Sequence, residues 1–289
     1  PRVDAWPGWV SICPVTPYLS QRREELVRAY RDGLLQDVIP FWMKHGLDRV
    51  NGGMHTALGR KGELLDSDKS VWFQGRAAWT FANLFNTVER RPEWSQAALS
   101  CAEFLHERCA DASGKLHFTV TAEGDPLRMR RYVFSECFAA IGFGAVHRAT
   151  GDGLWRARAL AAFETFLAYH HEPGRIAPKT SPVTRPMKSL SPLMMTLATA
   201  QDLREDLGDV VVRGRTLSDW AAITIAEIGR DFVKHDLRAV METVGPAGEI
   251  HDHFDGRLLN PGHSIEAAWF LLREARRSGD EATKRLGLA

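Results

Sequence analysis

The chain has 289 residues, of which 44% are hydrophobic and 25% are charged, and its net charge is +1. This composition is that of a globular protein, and the small net charge argues against a dedicated nucleic-acid or membrane-surface binder, which needs a field of one sign. No apolar run is long enough to cross a bilayer. The four cysteines, Cys13, Cys101, Cys109 and Cys137, form no Cys-x-x-Cys pair, so we expect free thiols and a cytoplasmic location.

Helical periodicity dominates the chain after a lead-in over residues 1–20, which contains four prolines and is predicted to be irregular. The next segment carries one apolar helix face, formed by Leu26, Tyr30, Leu34, Val38 and Phe41. Further helices are predicted, in chain order, over residues 72–88, 92–109, 132–149, 154–170, 187–207, 215–232 and 264–278. Residues 21–289 are predicted to form a single domain.

Short strand-like stretches at 54–58 and 116–121 each precede a glycine that is followed by an acidic residue. These pairs are Gly62-Glu63 and Gly124-Asp125, and a third pair is Gly248-Glu249. The glycines lie at one, two and four times 62, and the missing multiple falls in a loop at 186. The period predicts a repeated unit of two helices and a short hairpin. The alternative is chance alignment among the 24 glycines of the chain.

Several motifs lie on or beside these elements in one register. Residues 71–76 read Val-Trp-Phe-Gln-Gly-Arg, residues 134–138 read Phe-Ser-Glu-Cys-Phe, and residues 260–266 read Asn-Pro-Gly-His-Ser-Ile-Glu. Asn51-Gly52-Gly53 and Pro192-Leu193-Met194-Met195 add to the set. Together they resemble the N-acylglucosamine 2-epimerase family, also called the renin-binding protein family. The resemblance implies an all-α fold, an (α/α)6 toroid or barrel with short β-hairpins on one face and the sugar site at one mouth.

The length of the chain does not match a complete ring. Six units of the observed period need more than 289 residues, and the family chain continues well past the Asn-Pro-Gly-His helix. Period and resemblance together predict that a carboxyl-terminal part of the ring is missing here. The resemblance implies that this part carries a second catalytic histidine.

Inversion at carbon 2 of an open-chain N-acyl hexosamine needs a base beside the carbonyl and a cation for the developing enolate. Histidine titrates near neutral pH, and His263, at the predicted start of a helix, is our candidate base. Arg76 is the candidate cation. Glu266, three residues after His263, is expected to orient its ring or to bind a sugar hydroxyl. A helix cap is the structural alternative for His263 and Glu266, and an ordinary surface arginine is the alternative for Arg76.

Three further residues are assigned to the sugar site. Trp72 is expected to stack on the sugar, Glu136 to accept a hydroxyl hydrogen bond, and Met195 to line the pocket, with core packing as the alternative. His251-Asp252-His253 raises a metal hypothesis, but its spacing and ligand count match no standard site. The resemblance implies chemistry without a metal or a required cofactor.

The predicted function is the interconversion of N-acyl-D-glucosamine and N-acyl-D-mannosamine by a carbohydrate epimerase, an isomerase. The alternatives are a related aldose–ketose isomerase or cellobiose 2-epimerase, and a non-catalytic, renin-binding-like module. A glycoside hydrolase is a weaker alternative, for which only Glu136 and Glu266 could supply the two carboxylates.

The resemblance also implies modulation by ATP or another nucleotide as an allosteric effector. The sequence does not locate that site, because it contains neither a P-loop nor a dinucleotide fingerprint. We expect a small sugar as partner, no nucleic acid and no membrane, and we hypothesise a homodimer.

Overall fold

The computed structural model describes residues 17–130, 132–172, 174–178 and 180–289. The α-helices are α1 Pro17–Asp32, α2 Ile39–Phe41, α3 Val71–Asn83, α4 Pro92–Arg108, α5 Phe134–Thr150, α6 Gly153–His171, α7 Leu190–Leu207, α8 Leu217–Glu227, α9 Pro261–Ser278 and α10 Glu281–Leu288. Helical turns of π type occupy Gly33–Val38, Trp42–Gly46, Leu84–Val88 and Ile228–Phe232, and short 3-10 turns occupy His235–Leu237 and Asp255–Arg257.

The strands are short and pair mainly as antiparallel hairpins. They are β1 Ala57–Leu58, β2 Leu64–Asp66, β3 Lys69–Ser70, β4 Thr119–Val120, β5 Pro126–Arg128, β6 Lys188–Ser189, β7 Val211–Val212, β8 Arg215–Thr216, β9 Val233–Lys234, β10 Ala239–Val240 and β11 Thr243–Val244. Five small sheets result, with orders β1-β2, β3-β4-β5, β6-β11, β7-β8 and β9-β10.

The helices form two layers. In the inner layer α3, α5, α7 and α9 pack side by side in chain order, while α4, α6, α8 and α10 pack behind them. Each inner helix is reached from an outer helix through a loop that contains the short strands, as the repeat predicts. The all-α class is therefore confirmed. Within the described ranges no helix is both long and apolar enough to cross a membrane.

The predicted helices are all present, and their ends differ by a few residues. The helix predicted from residue 187 begins at Leu190, because Lys188–Ser189 pairs as β6 with β11. Helix α10 was not predicted; its first turn is capped by Asp280, which accepts hydrogen bonds from the N–H groups of Ala282 and Thr283.

The predicted irregular lead-in lies mostly outside the described residues, which begin at Pro17. Residues 17–20 belong to α1, so the prediction of irregular structure was wrong for them. Cys13 also lies outside the described residues. Cys101, Cys109 and Cys137 are free and buried, as expected.

The apolar stripe predicted on the first helix faces solvent. Leu26, Tyr30, Leu34 and Val38 are exposed, Tyr30 to 76%. The face next to this stripe packs inward, since Ile39, the residue after Val38, is only 4% exposed. Periodicity marks an apolar face but does not identify what covers it.

The Gly-acid turns share one geometry, which confirms the repeat at these positions. The N–H groups of Gly62, Gly124 and Gly248 each donate to the carbonyl three residues earlier, over 3.0, 3.1 and 2.9 Å. Their φ values are 91°, 104° and 85°, in the left-handed region that favours glycine.

A buried lysine ties the first two units together. Lys69 is fully buried, and its Nζ donates to Asp48 Oδ2 at 2.7 Å, to the Gly52 carbonyl at 2.8 Å and to the Ala122 carbonyl at 2.9 Å. Burial opposes ionisation of Asp48, but hydrogen bonds from Lys69 and from backbone N–H groups hold its pKa well below the usual range. The sequence analysis missed this residue because its partners are distant along the chain.

The inner helices α3 and α5 touch backbone to backbone. A Cβ on Gly75 would lie 2.5 Å from the carbonyl carbon and oxygen of Phe138, and one on Gly142 would lie 2.8 Å from the Gly75 carbonyl oxygen. Only glycine permits this spacing.

We expect Gly75→Ala to lower the free energy of unfolding by about 1–3 kcal/mol, because the methyl group forces the two helices apart. The matched control is Gly33→Ala, since Gly33 has open space around it. That substitution is expected to be neutral or stabilising by about 0.4–1 kcal/mol. Urea unfolding followed by circular dichroism measures both, and equal effects would contradict the tight α3–α5 contact.

Candidate active site

The candidate site lies at the amino-terminal ends of the inner helices, which share one side of the layer. Trp72 at the start of α3 contacts Phe134 and Phe138 at the start of α5. Ser191 in the first turn of α7 and His263 in the first turn of α9 both contact Glu242. The inner helices therefore present their first turns to a common surface.

His263 is held by a carboxylate. Asn260 caps α9 and accepts a hydrogen bond from the His263 N–H at 3.3 Å, which fixes His263 in the first turn. The imidazole Nδ1 lies 2.8 Å from Glu242 Oε2, and the two side chains are 36% and 13% exposed. When Nδ1–H donates to this carboxylate oxygen, Nε2 is the ring nitrogen that carries the lone pair.

Glu242 itself is fixed by its backbone and by a hydroxyl. Its carbonyl accepts from the Leu190 N–H at 3.0 Å, and its N–H donates to the Leu258 carbonyl at 3.4 Å. Its Oε1 accepts from Ser191 Oγ at 3.1 Å. One carboxylate thus contacts the starts of α7 and α9 together.

The structure pairs His263 with Glu242 and not with Glu266. The Glu266 side chain is exposed and makes no hydrogen bond within the described part of the chain. The sequence analysis missed Glu242 because it lies 21 residues before His263, outside any helical spacing. The predicted role of Glu266 as a hydroxyl ligand stays a prediction.

Arg76 and Trp72 lie on one aromatic cluster. The Arg76 guanidinium carbon is 4.2 Å from the centre of the Phe138 ring, and Trp72 packs against Phe138 and Phe118 with centroid distances of 5.3 and 5.2 Å. Arg76 is exposed and has no ion pair among the described residues, so its charge is available to a ligand. The structure joins Arg76 to Trp72 through Phe138, whereas His263 lies in the separate group around Glu242.

Glu136 is buried, with 1% of its surface exposed. Its Oε1 accepts from the Leu116 N–H at 2.9 Å, while Oε2 is enclosed without a partner. Burial raises the pKa of Glu136 to about 7. Its contacts therefore support the structural alternative, in which it holds the 110–117 loop to α5. Met195 is half-buried against the larger hydrophobic core, which also favours packing.

The histidines of the 251–253 segment join two loops. His251 Nε2 lies 3.1 Å from the Pro186 carbonyl oxygen, and His253 Nε2 lies 2.7 Å from an Arg185 nitrogen. In the described ranges, no three His, Cys, Asp or Glu side chains are grouped so that they could hold a metal ion.

Comparison of the chain with models of known protein families identifies its family. The N-acylglucosamine 2-epimerase (GlcNAc 2-epimerase) family model matches residues 52–289. The chain belongs to the N-acylglucosamine 2-epimerase family. The N-acylglucosamine 2-epimerases of Bos taurus and Homo sapiens are each 33% identical to it, over 268 and 271 residues and 90% of this chain. The chain spans 63% of the bovine protein's length and 62% of the human protein's.

Solved structures of related enzymes confirm the fold predicted for a family member. A sugar epimerase from a ruminal bacterium matches with a TM-score of 0.75 and 22% identity, covering 91% of this chain and 68% of that one. The cellobiose 2-epimerase of Bacillus thermoamylovorans matches with a TM-score of 0.77 and 17% identity, covering 92% and 70%. The helix layers and hairpins described above therefore belong to the (α/α)6 type of fold.

We expect Glu136→Gln to remove the contribution of one titrating group to the pH dependence of the free energy of unfolding. A folded-state pKa raised to about 7 stabilises the fold below the unfolded pKa, and this stabilisation is lost as the pH rises through 7. Between pH 4.5 and pH 8 the free energy of unfolding of the parent should fall by about 3 kcal/mol relative to that of the variant.

Urea unfolding at several pH values measures this difference. Burial also raises the pKa of Asp206 to about 7, so the quantity to use is parent minus variant rather than the parent curve alone. The control Glu164→Gln changes an exposed residue of α6 and should follow the parent. A parent–variant difference that does not vary with pH would contradict the buried, protonated Glu136.

Proposed function

We propose that this chain is a carbohydrate epimerase that acts at carbon 2 of open-chain N-acyl-D-glucosamine and N-acyl-D-mannosamine. The observation that carries the proposal is the 2.8 Å contact between His263 Nδ1 and Glu242 in a chain of this family. A half-exposed imidazole held in one tautomer by a carboxylate is a general base that faces its substrate through Nε2. The curated relatives supply the substrate class by name.

Proton removal is the step assigned to His263. Nε2 takes the proton from carbon 2, and the electron pair moves toward the carbonyl to form an enolate. Glu242 stabilises the imidazolium that results, and Ser191 keeps the carboxylate from rotating away from the ring. A positioned general base of this kind contributes about 10²–10⁴-fold to the rate.

Arg76 is assigned to the enolate oxygen. Its guanidinium has no carboxylate partner in the part of the chain that the structure describes, so its full charge can act on the oxyanion. Trp72, half-buried beside it, offers a ring face for the apolar side of the sugar. Glu266, exposed one turn after His263, is assigned to a sugar hydroxyl.

Exchange of the carbon 2 proton with solvent and inversion at carbon 2 can be measured separately. One base is enough to exchange the carbon 2 proton with solvent, whereas inversion needs a proton donor on the opposite face. The exchange step depends on residues described here, and it is therefore the direct test of the proposed site. The step needs a base and a cation only, so we assign no resident cofactor.

Four further assignments remain proposals for the whole protein. They are modulation by ATP or another nucleotide, a homodimer, a cytoplasmic location, and a single domain over residues 21–289. Adding ATP to the exchange reaction tests the first, and a change in rate without ATP consumption is the expected result.

We expect the protein to incorporate deuterium at carbon 2 of N-acetylglucosamine or N-acetylmannosamine in D2O, depending on which epimer presents its carbon 2 proton to His263, measured by loss of the proton NMR signal. His263→Asn should slow the exchange by about 10²-fold or more, because no other residue is assigned to remove this proton. The matched control is His147→Asn, since His147 lies near the far end of α5 and contacts the Asp152 carbonyl. Exchange by His263→Asn at the parent rate would contradict the assignment.

A substrate panel separates the rival sugars. A D-mannose isomerase shares the fold with a TM-score of 0.72, and the cellobiose 2-epimerase of Bacteroides fragilis is 27% identical over 131 residues. The same base would serve all three reactions. Exchange with mannose or cellobiose but with neither N-acetylmannosamine nor N-acetylglucosamine would overturn the N-acyl substrate, and exchange with none of these sugars would favour a binding protein.

A further inference from the structure

Two arginines stand over one aromatic ring beside the β4–β5 hairpin. The guanidinium carbon of Arg130 is 4.3 Å from the centre of the Phe118 ring, and that of Arg128 is 5.7 Å from the same centre. Arg130 also lies 5.8 Å from the centre of the Tyr132 ring. The shared ring places both positive charges on one patch of the surface, which we call the Phe118 patch.

The backbone of the hairpin fixes both arginines. The Phe118 N–H donates to the Arg128 carbonyl at 2.7 Å. The Lys115 ammonium donates to the Arg130 carbonyl at 2.8 Å and so holds the backbone at Arg130. Two cations that share one ring repel one another unless an anion joins them.

No carboxylate of the described residues pairs with either arginine. Elsewhere in the chain, arginines on the inner helices do have such partners: Arg273 contacts Asp202, and Arg148 contacts Asp206. The Nε–H of Arg130 is moreover buried without an acceptor. That enclosed donor is out of a ligand's reach, so the terminal NH2 groups of the guanidinium are the donors that can meet a ligand oxygen.

We propose that Arg128 and Arg130 form an anion subsite that takes a phosphate group, either as free inorganic phosphate or as the phosphoryl group of a sugar ester. Guanidinium forks match the paired oxygens of phosphate, and two cations balance its double charge. Cation–π contacts with Phe118 hold both guanidinium groups at the patch. Phosphate binding to this subsite is measured without an epimerase assay. Failure of this proposal can therefore be distinguished from failure of the proposed epimerase reaction.

Isothermal titration calorimetry at low salt tests the subsite with inorganic phosphate and with N-acetylglucosamine 6-phosphate. Both should bind, and the affinity should fall as sodium chloride is added. Arg128→Gln combined with Arg130→Gln should weaken binding by about tenfold or more, because two charged hydrogen-bonding partners are lost. The control Arg215→Gln should bind like the parent, since Arg215 lies over Trp220 at another hairpin, with 5.2 Å to the ring centre.

The two sources of phosphate give different results. Equal affinities identify free phosphate as the ligand, and an ester that binds about tenfold more tightly identifies a sugar phosphate. Arg130→Lys keeps the positive charge but loses the guanidinium fork, so its phosphate affinity should lie between those of the parent and the double variant. This single variant still tests the subsite if the double variant fails to fold. A parent that binds neither probe at millimolar concentration, or a folded double variant that binds like the parent, overturns the proposal.

Discussion

The position of His263 depends on one carboxylate that contacts the first turns of two inner helices. Glu242 accepts from Ser191 on α7 and holds His263 on α9. Its own place is set by backbone, because the Leu190 N–H donates to its carbonyl and Val244 pairs with Lys188. A two-residue strand pairing therefore fixes the geometry of the proposed base, and a shift of this strand would move the carboxylate and the imidazole together.

The same junction occurs earlier in the chain with a different side chain. At the start of α3 the Val71 N–H donates to the Phe118 carbonyl, just as the Leu190 N–H donates to Glu242 at the start of α7. Phe118 and Glu242 are two periods apart along the sequence. Phe118 and Glu242 therefore occupy equivalent positions of the repeat. Phe118 contacts Trp72, whereas Glu242 contacts the proposed base, His263.

Buried polar contacts and close backbone packing keep these junctions in place. Lys69 and Lys188 both lie in a two-residue strand directly before an inner helix, and each is bonded to carboxylates from another segment of the chain. Lys69 contacts Asp48, and Lys188 contacts Glu227 and Asp231. Removal of one partner from a buried pair of this kind leaves an uncompensated charge. The starts of α3 and α7 are therefore each held in place by a lysine.

Local signals in the sequence were enough to predict the helices, the turns and the motif that carries His263. Apolar periodicity places α4 and α6, and the glycines of the hairpins reveal the repeat because their backbone needs positive φ. The start of α9 was predicted three residues late, at residue 264, because Asn260 as the cap and Pro261 as the first helical residue were not considered.

The missed features depend on contacts between distant segments. Glu242 lies in a different loop from His263, and Lys69 finds its three partners in two other loops. Sequence reasoning chose Glu266 because it considered only one helix face. The motif at 134–138 assigned Glu136 to the sugar without any information about its burial, and that assignment stays a prediction.

The carbon 2 exchange of Glu242→Gln, followed by NMR in D2O over a range of sugar concentrations, tests the central claim most directly. The amide carries no charge to stabilise the imidazolium, so the rate at saturating sugar should fall by about tenfold to a hundredfold with little change in KM. Glu164→Gln, on the outer surface of α6, serves as the control at the parent rate. A Glu242→Gln protein that exchanges at the parent rate would contradict the account, because His263 would then need no carboxylate partner.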